Sequence, residues 1–399
     1  MTCSYLLGNI DSVIGIQNVL RLFYSYFGLQ LSKNEFFYLG FTNEVLEWIW
    51  KVAGFKIGNL PVRYLGVPLV TRKLTIMDCA PLIDKIANKI NGWSAKLLSY
   101  TGRFQLIQSM LCSMNNFLCK HFILPKGVLK KISQLCSGFF WKGKNQSAKG
   151  ARVSWEAICY PKSEIGLGLK DLMSWNQACM LQNIWAIMVK AGSLWIAWIN
   201  EYVLKDRSIW NYTKSQNCSW CWKKLLKLRV VGYRLIEMKN GKEQWKFSGR
   251  YRAADVWREV RPTKEKVTWH RLVWTSYVVP KHVVIAWLAI LNRLPTVDKL
   301  RDWGMDMDGL CLLCKQEQES RDHLFFSCSF SKEIWKKVLL LCGLNREVLG
   351  WTERAGLGRT KSKREGFDIT CVESRMECIH LSYLEGKKKQ SFQAKGGGW

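Results

Sequence analysis

Cys311-Leu312-Leu313-Cys314-Lys315-Gln316-Glu317-Gln318-Glu319-Ser320-Arg321-Asp322-His323-Leu324-Phe325-Phe326-Ser327-Cys328 sets three cysteines and one histidine in the spacing C-x2-C-x8-H-x4-C. Two thiolates three positions apart on a tight turn can hold one side of a tetrahedral Zn²⁺. A His and a Cys on the following element can close the other. Cys311, Cys314, His323 and Cys328 are therefore the candidate metal ligands, with Asp322 a candidate to orient the second imidazole nitrogen. The competing reading is four unrelated buried residues, since cysteine is common in cores. Four protein ligands leave no open position, so the zinc would be structural. A zinc deaminase needs His-x-Glu upstream of Pro-Cys-x-x-Cys, and the sequence contains neither.

Outward from this stretch the chain is basic. Its 399 residues carry 60 Lys and Arg against 31 Asp and Glu, a net charge of +29, with 48% apolar residues and 21 Trp. Such a composition excludes disorder of the whole chain. Its best apolar run, 178–199, is interrupted by Gln182, Asn183 and Lys190, so no membrane span is expected. The first ten residues lack a basic start and a long apolar run, which predicts no secretory export and reduced thiols for the 15 Cys. An intracellular compartment, nuclear or cytoplasmic, fits this reading.

Positive charge concentrates in residues 126–245, with 20 Lys and Arg against 7 Asp and Glu, interleaved with ten Trp. Cations bind phosphates and flat rings stack on bases, so a polyanion such as nucleic acid is the partner this pattern suggests. The candidate contacts are Lys126, Lys130, Lys131, Trp141, Lys142, Lys144, Lys149 and Arg152. The bland alternative is a solvated lysine face over a tryptophan core.

Apolar periodicity predicts a mainly α fold with small β elements. Helices are expected over 11–26, 81–93, 103–117, 128–141, 171–198, 253–260, 281–291 and 331–341, with short strands at 36–41 and 64–70. Gly166-Leu167-Gly168-Leu169 reads as a turn and strand, and residues 204–252 as a weakly specified connection. The expected division is 1–125, 126–245, 246–345, and a disordered tail over 346–399 where Gly and Lys rise.

Further residues gather around the metal motif: Trp269-His270-Arg271-Leu272-Val273-Trp274, Val279-Pro280-Lys281, Ala286-Trp287-Leu288, Arg293-Leu294-Pro295-Thr296, Glu319-Ser320 and Trp335. Together they resemble the reverse-transcriptase zinc-binding domain of plant LINE-type, non-LTR retrotransposons. Upstream, Leu60-Pro61-Val62-Arg63-Tyr64-Leu65-Gly66-Val67-Pro68-Leu69, Ile90-Asn91-Gly92-Trp93, Leu97 to Arg103, Phe139-Phe140-Trp141 and Pro161 to Leu169 are similar to the same polyproteins. The resemblance covers about residues 8–345.

It implies that 1–125 is a palm-end and thumb remnant, with Gly28 to Lys33 and Tyr64 to Gly66 similar to the last palm motifs. It implies further that 126–245 is a basic, Trp-rich helical connection and 246–345 the zinc-binding domain, a part of the enzyme that holds RNA or an RNA-DNA hybrid. Two-metal nucleotidyl transfer needs clustered carboxylates, in this family an Asp-Asp turn, and the sequence has no consecutive aspartates. Most of the palm is expected to precede residue 1. Met1-Thr2 is compatible with an out-of-frame Asp-Asp, and Met376-Glu377 with an out-of-frame Trp, so frameshifts would account for both ends. The expected product is a degenerate reverse transcriptase fragment that binds zinc and nucleic acid. Its competitors are an inert mobile-element remnant and an RNA-directed DNA polymerase subunit active only with a palm supplied in trans.

Overall fold

The computed structural model describes residues 10–28, 35–36, 43–53, 56–58, 62–64, 67–69, 72–93, 98–144, 147–205, 207–213, 218–239, 242–247, 250–274, 280–306, 308–341, 343, 345 and 347. The expectations for the first nine residues, for 29–34, for 65–66 and, apart from residue 347, for the tail 346–399 lie outside these. The fold is mainly α with small β elements, as the periodicity implies, and it divides into two units, residues 1–82 and 83–399.

The first unit contains α1 (Ile10–Phe27), β1 (Glu35–Phe36), α2 (Asn43–Ala53), β2 (Lys56–Ile57), β3 (Val62–Tyr64) and β4 (Val67–Leu69). β1 and β2 pair in parallel, and β3 and β4 antiparallel with Tyr64 opposite Val67. The run from Tyr64 to Val70, expected as one strand, is thus divided between two arms of a hairpin. The only described part of the strand expected at 36–41 is Phe36. α2 is not among the helices expected from the sequence.

The second unit is built on α3 (Ala80–Gly92), which begins at the border, α4 (Tyr100–His121), α5 (Lys126–Lys142), α6 (Trp155–Cys159), α7 (Leu172–Met188), α8 (Leu194–Trp198) and α9 (Trp220–Tyr233). They are followed by the hairpin β5 (Ile236–Lys239) and β6 (Lys242–Trp245), then α10 (Ala253–Val260), α11 (His270–Val273), α12 (Pro280–Ile290), α13 (Val297–Asp302) and α14 (Ser329–Leu341). α7 is the central helix and packs on α4, α5, α9 and α10. It is apolar on nearly all sides, as a helix enclosed by neighbours must be. Its one deeply buried amide, Asn176, accepts from Leu124 N at 3.2 Å and donates to the Cys119 and Phe122 carbonyls at 3.1 and 2.9 Å. That satisfies carbonyls at the end of α4 which the helix itself cannot pair.

The helix expected over 171–198 is broken. Lys190 takes a left-handed φ of 49°, and Ser193 caps α8 by accepting from Ile196 N at 3.3 Å. A one-turn π-helix, Ile199–Leu204, extends α8. The connection over 204–252 is also more ordered than its composition implies, because it holds α9 and the β5–β6 hairpin.

The segment from Pro161 to Leu169 is a buried loop, not a turn and strand. A 3-10 turn at Lys162–Glu164 leads to Ile165 at φ 76°, a conformation that costs a β-branched residue about 1–3 kcal/mol unless its surroundings impose it. They do so here: the Trp287 indole donates to Ile165 O at 2.6 Å, and Val267 N to Ser163 O at 2.9 Å. Gly166 then passes so close to Tyr160 that a Cβ would lie 1.9 Å from its carbonyl oxygen. Only glycine fits. The loop joins the helices upstream to the chain from Arg261 to Trp287.

Candidate metal centre

After α13 the chain turns back on itself. Cys311 N donates to Glu317 O at 2.7 Å and Lys315 N to Cys311 O at 2.8 Å, with Lys315 in the left-handed region at φ 55°. This tight turn places Cys311 and Cys314 side by side, and Leu313 N points at Cys311 Sγ from 3.4 Å. The other pair comes from a single π-turn, His323–Ser327, closed by Cys328 N donating to His323 O at 2.8 Å. A turn wider than an α-helical one returns Cys328 beside His323. α14 fixes that turn: Ser331 donates to Leu324 O and the Trp335 indole to Phe325 O, both at 2.7 Å.

The four ligand atoms all lie within 4.8 Å of one another, and Cys314 Sγ is 3.3 Å from His323 Nε2. Around a tetrahedral ion with metal–sulfur bonds of about 2.3 Å the ligand atoms would sit roughly 3.5–3.8 Å apart, so a small contraction suffices. Three soft thiolates and an imidazole are the donors of a closed, non-catalytic site. Cys311 and Cys328 are wholly buried and His323 nearly so, while Cys314 is half-buried.

Burial pushes the Cys311 thiol up to about 12. At Cys314 burial pulls the same way, but the Gln316 and Glu317 N–H groups, His323 and Cys311 overcome it and lower the thiol to about 6. A metal entering at neutral pH must therefore displace a proton from at least Cys311, and affinity falls as pH falls.

The orienting carboxylate is Glu317, not Asp322. Glu317 Oε2 lies 2.9 Å from His323 Nδ1, whereas Asp322 is exposed and paired with Arg321 at 2.7 Å. Adjacency in sequence favours Asp322, but the turn brings the residue three after Cys314 over the ring instead. With Nδ1–H donating to Glu317, Nε2 is left as the ligand nitrogen. Glu317→Ala is expected to weaken metal affinity about tenfold, the lower end of the range for such partners because Glu317 is exposed. Competition with a chromophoric chelator measures it, and an unchanged affinity would remove Glu317 from the site.

The basic candidates lie elsewhere. Lys126, Lys130, Lys131, Lys142, Lys144 and Lys149 are all exposed, on α5 or in the loop after it, and Arg152 is half-buried above the Tyr100 ring at 5.7 Å. Trp141 is not a surface platform. It is 7% exposed, with its ring against Phe140 at 4.8 Å and Tyr100 at 5.8 Å, because α5 is buried on every side from Leu135 to Trp141. Trp175, Trp222 and Trp245 are likewise core, whereas Trp195 and Trp198 keep an exposed edge. The alternative of a lysine surface over a tryptophan core thus describes four of the ten rings in 126–245, and Trp155, Trp185, Trp210 and Trp220 are half-buried.

The second unit of this mainly α fold thus carries a closed Cys3His cluster whose four donors could hold one metal ion. Residues 251–335 match the family described as zinc-binding in reverse transcriptase, which encloses all four ligands. Over 129 residues the chain is 28% identical to a putative ribonuclease H protein of Arabidopsis thaliana, a match covering 32% of this chain and 21% of that protein. The zinc-binding segment is related to reverse transcriptase elements. Among the described residues no helix is long and apolar enough to cross a membrane.

Proposed function

We propose that this chain is a degenerate C-terminal part of a LINE-type, non-LTR retrotransposon reverse transcriptase, holding one structural Zn²⁺ and binding RNA or an RNA-DNA hybrid. In this reading 1–125 is the palm-end and thumb remnant, 126–245 the basic connection, 246–345 the zinc-binding domain and 346–399 a frameshifted tail. The observation that carries it is the Cys3His cluster within the segment matching the reverse-transcriptase zinc-binding family. Cys311, Cys314, His323 and Cys328 hold the zinc, which ties the turn to α14. The six exposed lysines from Lys126 to Lys149 neutralise phosphates, a role that does not depend on sequence. Without clustered aspartates to hold two Mg²⁺ ions, the chain by itself extends no primer.

The test is zinc stoichiometry and RNA-DNA hybrid affinity across a salt series on the full chain, with and without Cys314→Ser. One zinc per chain, lost in the variant, is expected. Six phosphate contacts predict roughly a thousandfold loss of affinity between about 50 and 200 mM salt. A chain with neither zinc nor hybrid binding would leave the inert remnant standing.

A further inference from the structure

Two adjoining clefts of about 380 and 510 Å³ share Arg152 and Arg293 along their walls. Lys264 and Ile165 line the first, and Lys299, Asp302 and Trp303 the second. Four cations thus face one carboxylate. Arg152, Lys264 and Arg293 form no ion pair with any carboxylate among the described residues. Aromatic rings position two of them: Arg152 sits 5.7 Å from the Tyr100 centroid and Lys264 4.6 Å from that of Tyr160. These contacts orient a cation without cancelling its charge.

Lys299 donates to the Asn292 carbonyl. Burial first, then Arg293 and Arg321, hold its amine below the usual lysine range against the opposing pull of Asp298 and Asp302. Like charges are therefore crowded here. At the end of the second cleft Trp303 is 58% exposed, just past α13, an unusual setting for the largest apolar side chain. Unneutralised cations leading to an exposed indole are what a phosphodiester chain with accessible bases requires.

We propose that this paired cleft is the binding site for a single strand of nucleic acid, with phosphates on Arg152, Lys264, Arg293 and Lys299 and a base stacked on Trp303. The inference rests on the nucleic-acid reading above and assigns it a place and a strandedness. Clefts of a few hundred Å³ accept ligands of about nucleotide size. A duplex keeps its bases paired and stacked, so it can offer phosphates to the cations but no free base face to Trp303. Lys126, Lys130 and Lys131 line neither cleft and supply attraction that does not distinguish strandedness.

The experiment uses the full zinc-loaded chain and two fluorescein-labelled probes, an oligouridylate and an RNA-DNA hybrid, each of about 12 nucleotides or pairs. Trp303→Ala is expected to weaken the oligouridylate roughly 5- to 150-fold while leaving its salt slope and the hybrid affinity unchanged. Arg293→Gln with Lys299→Gln should weaken the oligouridylate and reduce its log–log salt slope by about 1.4. Arg293 and Trp303 are exposed, so folding should survive, and zinc content with circular dichroism checks it. The triple variant Lys126→Gln, Lys130→Gln, Lys131→Gln weakens both probes and preserves the Trp303 effect.

If Trp303→Ala weakens both probes equally, or the cleft variants leave the oligouridylate untouched while the triple variant releases it, the cleft assignment is overturned and nucleic-acid binding stands. If the unmodified chain binds neither probe at low salt, both fall together.

Discussion

Cys328→Ser is expected to abolish metal uptake and unfold the segment from Val297 to Leu341, while α4, α5 and α7 keep their structure. The reason is the balance within that segment. Its interior is small: Val297, Leu300, Leu324, Phe325, Phe326, Trp335 and Leu339 are buried, but the turn over 308–322 is held largely by backbone hydrogen bonds. Apparent binding free energies of structural zinc are about 10–16 kcal/mol near neutral pH, as large as the stability of a whole domain at about 5–15 kcal/mol. Cys328 is the candidate ligand that closes the π-turn, wholly buried, and a serine hydroxyl there is a far weaker donor for a metal.

Hydrogen exchange is the discriminating measurement: the amides of α13, the π-turn and α14 should lose protection together, and those of α7 should not. Cys136→Ser supplies the control. That thiol is equally buried, its pKa raised by burial to about 12, but it stands in α5 away from any ligand cluster and should keep the full zinc content. Retention of both zinc and α14 protection in Cys328→Ser would show that the cluster is only a group of core residues.

The Cys3His cluster was legible because spacing alone brings its four side chains together: a C-x2-C turn and a His-x4-Cys turn are local structures that need little help from elsewhere. Long helices such as α5 and α14 were legible for the same reason. What sequence concealed depends on contacts between distant residues or on signals overlaid by another pattern. α7 and α8 share one apolar run, so Gly192-Ser193, a stop and a cap, disappear inside it. α9 mixes Trp, Leu, Val, Lys and Arg without a clean polar face, yet Ser219 caps it by accepting from Trp222 N at 3.3 Å. Asn240-Gly241 between β5 and β6 is a strong hairpin signal within a stretch whose polarity suggests a linker. Glu317 and the cleft around Arg293 had no signal, because each depends on which turn brings which side chain across. Trp141 illustrates the opposite error: an aromatic among lysines reads as a platform until the stretch from Leu135 to Trp141 is seen to be buried.

The pair Glu164–Arg261 joins two parts of the second unit separated by almost a hundred residues, and its disruption should be the largest effect outside the metal centre. Glu164 Oε1 and Oε2 accept from the Arg261 guanidinium at 2.5 and 2.7 Å, and Lys264 N adds a third bond at 3.1 Å. Both side chains are below 10% exposed. Removing one partner of a buried ion pair strands the other charge, which costs about 3–5 kcal/mol. Glu164→Gln keeps the volume and loses the charge, so chemical denaturation of the second unit should show a loss in that range. The paired variant Glu164→Leu with Arg261→Met removes both charges and should recover most of it.

Acidity gives an independent check. The Arg261 hydrogen bonds, opposed by burial and aided by Lys264 N–H and the charges of Arg261 and Lys266, hold Glu164 below the usual carboxylate range. A depressed folded-state value means that the pair's stabilisation is fully present above the ordinary glutamate pKa and is lost as pH falls through the lower, folded one. The gap between the original chain and Glu164→Gln should therefore be constant near neutrality and narrow in acid. A gap independent of pH down to the acid limit would mean that packing around Ile165 and Trp287, and not the charge pair, holds this junction together.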